Sequence, residues 1–312
     1  MWEDLKSMGN AGFFEVLEHI RDIKKQELTL PIARKACTIT TLLVGDDLSL
    51  KSSIGSPATY DRDIVKMLQK KIKFIDQEES KEYVLKYDEF IRTISNIDKI
   101  VMLWGLFKCT YETIGTRKIT CPNDCDKPKS SYVFEDKIFL SDLLNEDSLT
   151  LWDKDKPFYD YLFEIEVDYS GFKYVFQTRL PSMKDHGRIL NLLSTSEVQS
   201  NLEKTGSIFT KPMEMALLIT KMEVFNITKN EHGKNVRGEK VAESSNSQEI
   251  LMAFRSRIPE IISEDIYKKY NDHFEKYSPK FYKNMVCPNC GHNFKYDVDI
   301  ETDFFRRSIL AT

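Results

Sequence analysis

Apolar residues three or four positions apart recur through the first third of the chain, which is the spacing typical of amphipathic helices. Residues 11–26 and 58–75 each carry such an apolar stripe and are predicted as helices. Between them, β-branched residues around Pro31 predict an early edge strand or hairpin. Because the helical patterns dominate, we expect a mainly helical N-terminal domain over residues 1–118.

Strict alternation of apolar and polar residues replaces this spacing in the middle of the chain, and it is the pattern of a half-buried β-strand. The alternation runs up to Ser170-Gly171 and continues beyond that pair, which predicts a β-hairpin with a glycine-containing turn. Helical spacing follows, so residues 146–227 are predicted as a β-hairpin and helical region. The alternating residues are Phe163, Ile165, Val167, Tyr174, Phe176 and Thr178.

The next two segments differ sharply in how much they can bury. Residues 228–248 hold almost no apolar side chains and are predicted as a mobile loop. Residues 249–284 return to helical spacing and predict one or two helices, broken or redirected at Pro259. Together with the central hairpin, these segments predict an α+β fold with a small antiparallel sheet.

Two short stretches about 160 residues apart are similar to each other. ITCPNDC begins at Ile119 and MVCPNC begins at Met285, and each begins with an apolar residue two positions before Cys-Pro-Asn. Each then leads into an alternating, strand-like stretch. Closely spaced cysteines of this kind form a knuckle, which presents two thiolates to one metal ion from a tight bend. We therefore predict a first zinc knuckle and strand in residues 119–145, and a second knuckle and terminal strand in residues 285–312.

Zn²⁺ prefers four ligands at tetrahedral corners, so one pair of cysteines is not a complete site. Closing a flexible loop of about 160 residues costs roughly 4.5 kcal/mol. A structural Zn²⁺ contributes roughly 10–16 kcal/mol at neutral pH, which exceeds the cost of closing the loop. We expect the two distant knuckles to share one structural Zn²⁺ in a four-cysteine zinc ribbon, with the ligands Cys121, Cys125, Cys287 and Cys290.

Two other interpretations of the cysteines stay open at this point. In the first interpretation, all six cysteines of the chain are reduced, buried thiols. The second has two separate metal sites, with Cys109 joining the first knuckle and His292 joining the second. Paired cysteines in a chain of this size more often mark metal sites than disulfides when the protein is cytosolic.

Composition and charge restrict the functional classes. Apolar residues make up 41% of the 312 residues, enough for a sizeable core, and the net charge of −4 lacks the basic excess of nucleic-acid-binding proteins. The chain has no apolar run of about 18 residues, so no membrane span is predicted. The N-terminal residues lack the apolar core of a signal peptide. None of the common phosphate-binding or hydrolase motifs occurs, so we predict neither an enzyme nor catalytic residues.

Four stretches resemble the baseplate hub proteins and hub assembly chaperones of T-even-type contractile-tailed phages. They are residues 28–72, with strands before the GDD loop and a helix after it, residues 87–115, with their apolar helical pattern, and the two knuckles. The resemblance implies a structural or assembly role in the tail baseplate. The partners that it implies are other tail and baseplate proteins. One arrangement that it allows is several copies of this chain in a symmetric assembly.

The same resemblance implies a protein that is assembled in the host cytoplasm and resides in the virion. The alternative function is a nucleic-acid-binding zinc-ribbon protein, such as a phage transcription accessory factor. Zinc ribbons serve in that role elsewhere, but the charge of this chain makes nucleic acid the less favoured partner.

Overall fold

The computed structural model describes residues 24–53, 57–76, 78–123, 125, 131–143, 150–153, 155–193, 210–300 and 303. Most of the helix predicted over residues 11–26 lies outside these residues. Within them the chain is a mixture of helices and small antiparallel sheets, and it divides into two compact units. Unit 1 comprises residues 1–87, 97–151 and 278–312, and unit 2 comprises residues 88–96 and 152–277.

Both units therefore draw on separated stretches of the chain, whereas the sequence pattern predicts consecutive segments. The helices and strands follow one another in chain order. They are β1 (Lys25–Thr29), β2 (Ala36–Thr40), α1 (Val44–Ser52), α2 (Pro57–Lys71), β3 (Ile72–Ile75), β4 (Glu82–Tyr83), α3 (Tyr87–Thr93), α4 (Asn96–Thr110), β5 (Thr113–Thr120), β6 (Val133–Phe139), β7 (Leu162–Tyr169), β8 (Phe172–Arg179), α5 (Met183–Leu193), α6 (Thr210–Leu218), β9 (Ile219–Lys229), β10 (Asn235–Ser244), α7 (Ser247–Ser256), α8 (Glu260–Phe274), β11 (Tyr282–Val286) and β12 (Asn293–Asp297).

The first sheet of unit 1 is antiparallel and keeps the chain order β1-β2-β3-β4. The hairpin predicted around Pro31 is confirmed, with Leu28 paired to Cys37. The expectation of a mainly helical segment 1–118 missed the rest of this sheet. Residues 58–75 continue a helical apolar spacing, but the helix ends at Lys71 and the next three residues pair with β2. Tertiary pairing outweighs local propensity there.

The apolar helix α4 lies in the core of unit 1. Gly105 permits its close approach to β1, because a Cβ at this position would meet Leu28 Cδ1 at 2.4 Å. The fully buried carboxylate of Asp98 accepts hydrogen bonds from the backbone N–H groups of Ile32 (2.9 Å) and Ala33 (3.1 Å). The pair of contacts compensates the burial of a charge and fixes the β1–β2 turn against the helix.

Unit 2 contains a second antiparallel sheet with the order β10-β9-β8-β7. The predicted central hairpin is confirmed as β7–β8, and its turn residues Ser170 and Gly171 have φ values of 50° and 82°. Two positive φ values are those of a type I′ turn, whose twist matches that of the strands. One face of the sheet packs on helices, as shown by ring centroids of Phe163 and Phe274 (4.9 Å) and of Phe176 and Phe254 (5.9 Å).

The loop predicted over residues 228–248 is wrong for most of its length. β9 extends to Lys229, and β10 occupies residues 235–244 as the edge strand paired with it. The strand was missed because none of its residues is buried and seven of its ten are exposed, so it shows no apolar alternation. It is held to β9 by backbone hydrogen bonds and by ion pairs such as that of Lys240 with Glu223 (3.3 Å).

Candidate metal centre

Each predicted knuckle lies at the tip of a two-stranded antiparallel hairpin in unit 1. The first knuckle, Cys121 and Cys125, connects β5 to β6, where Thr120 pairs with Val133. The second knuckle, Cys287 and Cys290, connects β11 to β12, where Val286 pairs with Asn293. The strand predicted after each knuckle is therefore confirmed.

The strands that precede the knuckles were not anticipated. β5 carries a sequence signal, because it is rich in β-branched residues (TIGTRKIT). β11 begins within the segment 249–284, for which the sequence predicts helix, and it is too short for alternation to be distinctive. Each knuckle is therefore preceded as well as followed by a strand, and the two strands pair as a hairpin.

The four knuckle sulfurs meet in one cluster, in which all ligand atoms lie within 4.8 Å of one another. The distance between the Sγ atoms of Cys121 and Cys290 is 3.8 Å, and that between Cys125 and Cys287 is 3.7 Å. Four sulfurs placed about 2.3 Å from a central ion have a tetrahedral edge of about 3.8 Å. A disulfide needs about 2.05 Å, and all four cysteines are free. The spacing therefore fits a tetrahedral metal site.

The backbone of the second knuckle is folded around its first cysteine. Cys287 N–H donates to the carbonyl of His292 (2.9 Å), and Gly291 N–H donates to the carbonyl of Cys287 (2.9 Å). Gly291 has a φ of 70°, in the left-handed region that glycine adopts without a Cβ penalty. Asn289 joins the two knuckles, because its Nδ2 donates to the carbonyl of Cys125 at 2.6 Å.

The thiols differ in exposure and in acidity. Cys121 and Cys287 are buried, Cys125 is half-buried and Cys290 is exposed. Burial raises the pKa of Cys121 to about 12. Burial also acts to raise the pKa of Cys287, but hydrogen bonds from the backbone N–H groups of Cys290 and Asn289 outweigh it and set that pKa at about 7. A bound cation would favour the thiolate form of all four, since thiolates are the ligands.

Contacts outside the sulfur cluster also join the two hairpins. Lys283 Nζ lies 2.7 Å from Asp136 Oδ2, and the rings of Phe134 and Phe294 meet edge to face at 6.4 Å. After β12, Asp303 pairs with Arg117 of β5 at 2.6 Å. These contacts orient the hairpins, so the cluster does not depend on the sulfurs alone for its geometry.

The two further residues of the separate-site interpretation, Cys109 and His292, are not members of the sulfur cluster. Cys109 Sγ donates to the carbonyl of Ile39 (3.4 Å), and burial raises its pKa to about 11. The ring of His292 stacks against that of Phe294. The described residues contain one group of three or more His, Cys, Asp or Glu side chains that could hold a metal ion, and it is the group formed by the two knuckles. The structure therefore brings both knuckles to one site.

Comparisons with known proteins leave this site to be interpreted from its own geometry. The chain matches no family model, no curated protein and no solved structure. Among the helices that the structure describes, none has the length and apolar character needed to cross a bilayer.

Proposed function

We propose that the chain is a structural or assembly protein of a contractile phage tail baseplate, and that one structural Zn²⁺ joins its two hairpins as a zinc ribbon. The observation that carries the metal assignment is the spacing of the four sulfurs, which all lie within 4.8 Å of one another, with 3.8 Å between Cys121 and Cys290 and 3.7 Å between Cys125 and Cys287. The proposed location is the tail baseplate of the virion, after assembly in the host cytoplasm.

Zinc is the ion that suits this ligand set best. Tetrahedral sites of four thiolates favour Zn²⁺ or iron, while hard cations such as Mg²⁺ prefer oxygen ligands. Four protein ligands complete the coordination and leave no position for a substrate or water, which is the arrangement of structural rather than catalytic zinc. The role proposed for the ion is therefore to hold β5–β6 and β11–β12 together.

The baseplate assignment rests on the resemblance of residues 28–72, 87–115 and the knuckles. Apolar side chains exposed on α1 support a role in docking. Val44 is 79% exposed and Leu48 is 61% exposed, one helical turn apart, and Leu43 next to them is also exposed. Contiguous exposed apolar residues mark interaction surfaces more often than single ones do.

Co-purification from infected cells tests this function. A tagged chain expressed during infection should retain tail and baseplate subunits, identified by mass spectrometry. A tagged Val44→Asp and Leu48→Asp double variant tests whether α1 is the docking surface. It should retain fewer subunits than the wild type while its metal content is unchanged. Absence of tail subunits from the wild-type sample, together with absence of the chain from baseplate intermediates and particles, would refute the baseplate assignment.

A further inference from the structure

A groove of 420 Å³ lies in unit 2 between the end of β7 and the first turns of α8. β7 is the last strand of its sheet, so one of its edges has no strand partner among the residues that the structure describes. Val167, Asp168 and Tyr169 line the groove from the strand side. The helix side is lined by Ile261, Ile262, Glu264, Asp265 and Lys268. Strand edge and helix together form a slot of the kind that accepts an extended peptide.

The register of the hairpin determines which backbone groups face this slot. Tyr169 and Phe172 flank a two-residue turn and so form a hydrogen-bonded pair. Every second pair away from the turn is hydrogen-bonded in the same way, beginning with Val167 and Tyr174. The N–H and C=O groups of Glu164, Glu166 and Asp168 therefore point away from β8. In agreement with this, Glu166 C=O accepts a hydrogen bond from Lys269 Nζ of α8 at 2.7 Å.

The side chains of the groove combine an apolar floor with an acidic rim. Ile261 is 61% exposed although it is aliphatic, and it lies beside the buried Ile262 and Val167. Three carboxylates stand around this floor against the single ammonium of Lys268. Asp168 contacts Lys173 and Asp265 contacts Lys269, each at 2.8 Å. For Glu264 the described residues provide no ion pair, so its charge is available to a ligand.

We propose that an extended segment of a partner protein adds to the free edge of β7 as a further antiparallel or parallel strand. An apolar side chain of this segment covers Val167, Ile261 and Ile262, and a neighbouring lysine or arginine pairs with Glu264. The backbone of the segment bonds to the outward groups of β7, as in strand addition at other exposed sheet edges. The inference rests on the proposed function in one respect, because it assumes a protein partner and adds a second partner-binding surface to that on α1.

Lys269 has a defined part in this arrangement. Lysines at sheet edges discourage uncontrolled strand pairing, and Lys269 caps the carbonyl of Glu166 while pairing with Asp265. An incoming strand displaces the ammonium from the carbonyl and leaves the ion pair in place. Lys269→Met removes the cap and should therefore tighten the binding of an added strand rather than weaken it.

The probes are three blocked seven-residue peptides measured by fluorescence anisotropy against the full chain. One alternates valine with lysine, the second carries glutamate in place of lysine, and the third is the lysine peptide with alternate backbone N–H groups methylated. The lysine peptide should bind saturably, and both other peptides should bind at least tenfold more weakly. Equal binding of the methylated peptide would overturn strand addition, and so would the absence of saturable binding by the lysine peptide.

Two groove variants and two matched controls locate the site. Ile261→Asp and Glu264→Lys should each weaken the lysine peptide at least tenfold, and Glu264→Lys should restore binding of the glutamate peptide. Met252→Asp changes another exposed apolar residue, in α7, and Asp272→Lys changes an exposed acid farther along α8. Both controls should stay within twofold of the wild-type chain. Equal effects of groove and control variants would overturn the location.

The remaining outcomes separate this inference from the baseplate assignment and from a second copy as occupant. If tail subunits co-purify with the wild type but the lysine peptide does not bind, the groove proposal fails while the baseplate function stands. If the peptides bind as expected but no tail subunit is retained, the baseplate function fails and the groove stands. If wild type sediments as a dimer and Ile261→Asp as a monomer, the occupant is a second copy, which contradicts a separate partner.

Discussion

The two hairpins that carry the cysteine cluster and the four-stranded sheet of unit 2 are both antiparallel, but they differ in how much they bury. β5–β6 and β11–β12 are two-stranded sheets with mostly exposed or half-buried side chains, and isolated hairpins of this kind are marginal in water. β7–β10 has four strands and packs its aromatic face on helices. We therefore expect a bound ion to matter most where little apolar surface is buried.

The largest difference should follow loss of one metal ligand. Cys290→Ser leaves three thiolates, so the chain should purify with little zinc and the hairpins of unit 1 should open. If free zinc exceeds the dissociation constant ten-thousandfold, losing it lowers the free energy of unfolding by about 5.5 kcal/mol. Elemental analysis and chemical denaturation measure both effects. Cys109→Ser, outside the cluster, is the matched control and should keep its zinc; full zinc content in Cys290→Ser would refute the ligand set.

A core truncation in unit 2 should show the opposite behaviour. Phe274 is 3% exposed and its ring contacts those of Phe163 and Tyr270, each at 4.9 Å. Phe274→Ala removes these contacts and should cost about 3–5 kcal/mol of stability. Zinc content should not change, and chelation should destabilise the variant as much as the wild type. Zinc loss in Phe274→Ala would show that the two regions are not held by separate interactions.

Asp185 gives unit 2 a dependence on pH through a network at the start of α5. Arg179 approaches its carboxylate with two nitrogens (2.5 and 2.8 Å), and Ser182 donates both its N–H (3.1 Å) and its hydroxyl (2.8 Å). Burial acts to raise the pKa of Asp185, but the hydrogen bonds and charge of Arg179 and the bonds from Ser182 outweigh it and lower that pKa.

Because the folded-state pKa is lowered, Asp185 stabilises unit 2 above the unfolded-state value of about 3.9, and this stabilisation is lost as the pH falls through the folded-state value. Asp185→Asn should cost about 1.5–3 kcal/mol at pH 7. Denaturation at pH 7 and pH 3 should show a smaller loss on acidification for the variant than for the wild type. Equal losses in the two proteins would show that Asp185 does not contribute to the pH dependence.

The smallest effects should come from two glycines that differ only in their surroundings. Gly291 follows the second knuckle with a φ of 70°, and Gly233 lies in the β9–β10 turn with a φ of 73°. Neither would meet another atom with an added Cβ, so Gly→Ala at either position should cost about 1–2 kcal/mol through backbone strain alone. Zinc affinity, measured by chelator competition, should fall for Gly291→Ala and stay unchanged for Gly233→Ala; equal affinities would show that the knuckle tolerates the strain.

The sequence was most informative where chemistry is local. A Cys-Pro-Asn knuckle is recognisable from a few adjacent residues, and the Ser170-Gly171 turn is recognisable from its glycine and the alternation on both sides. The meeting of Cys121 with Cys290 followed from the incomplete ligand number of each knuckle, and the structure shows that distant segments do form one cluster.

The sequence was least informative where long-range pairing decides the structure. Ile72 continues the apolar spacing of α2, yet it pairs with Ile39 of β2. β10 has no apolar alternation because its side chains remain in solvent and its partner β9 supplies the hydrogen bonds. Such strands are determined by their neighbours, which one segment of sequence does not reveal.

X-ray absorption at the zinc edge of the purified full-length chain is the sharpest test of a metal ion shared by the two hairpins. We expect one zinc per chain with four sulfur neighbours at about 2.3 Å. A chain without stoichiometric zinc, or with fewer than four sulfurs around it, would contradict the shared site.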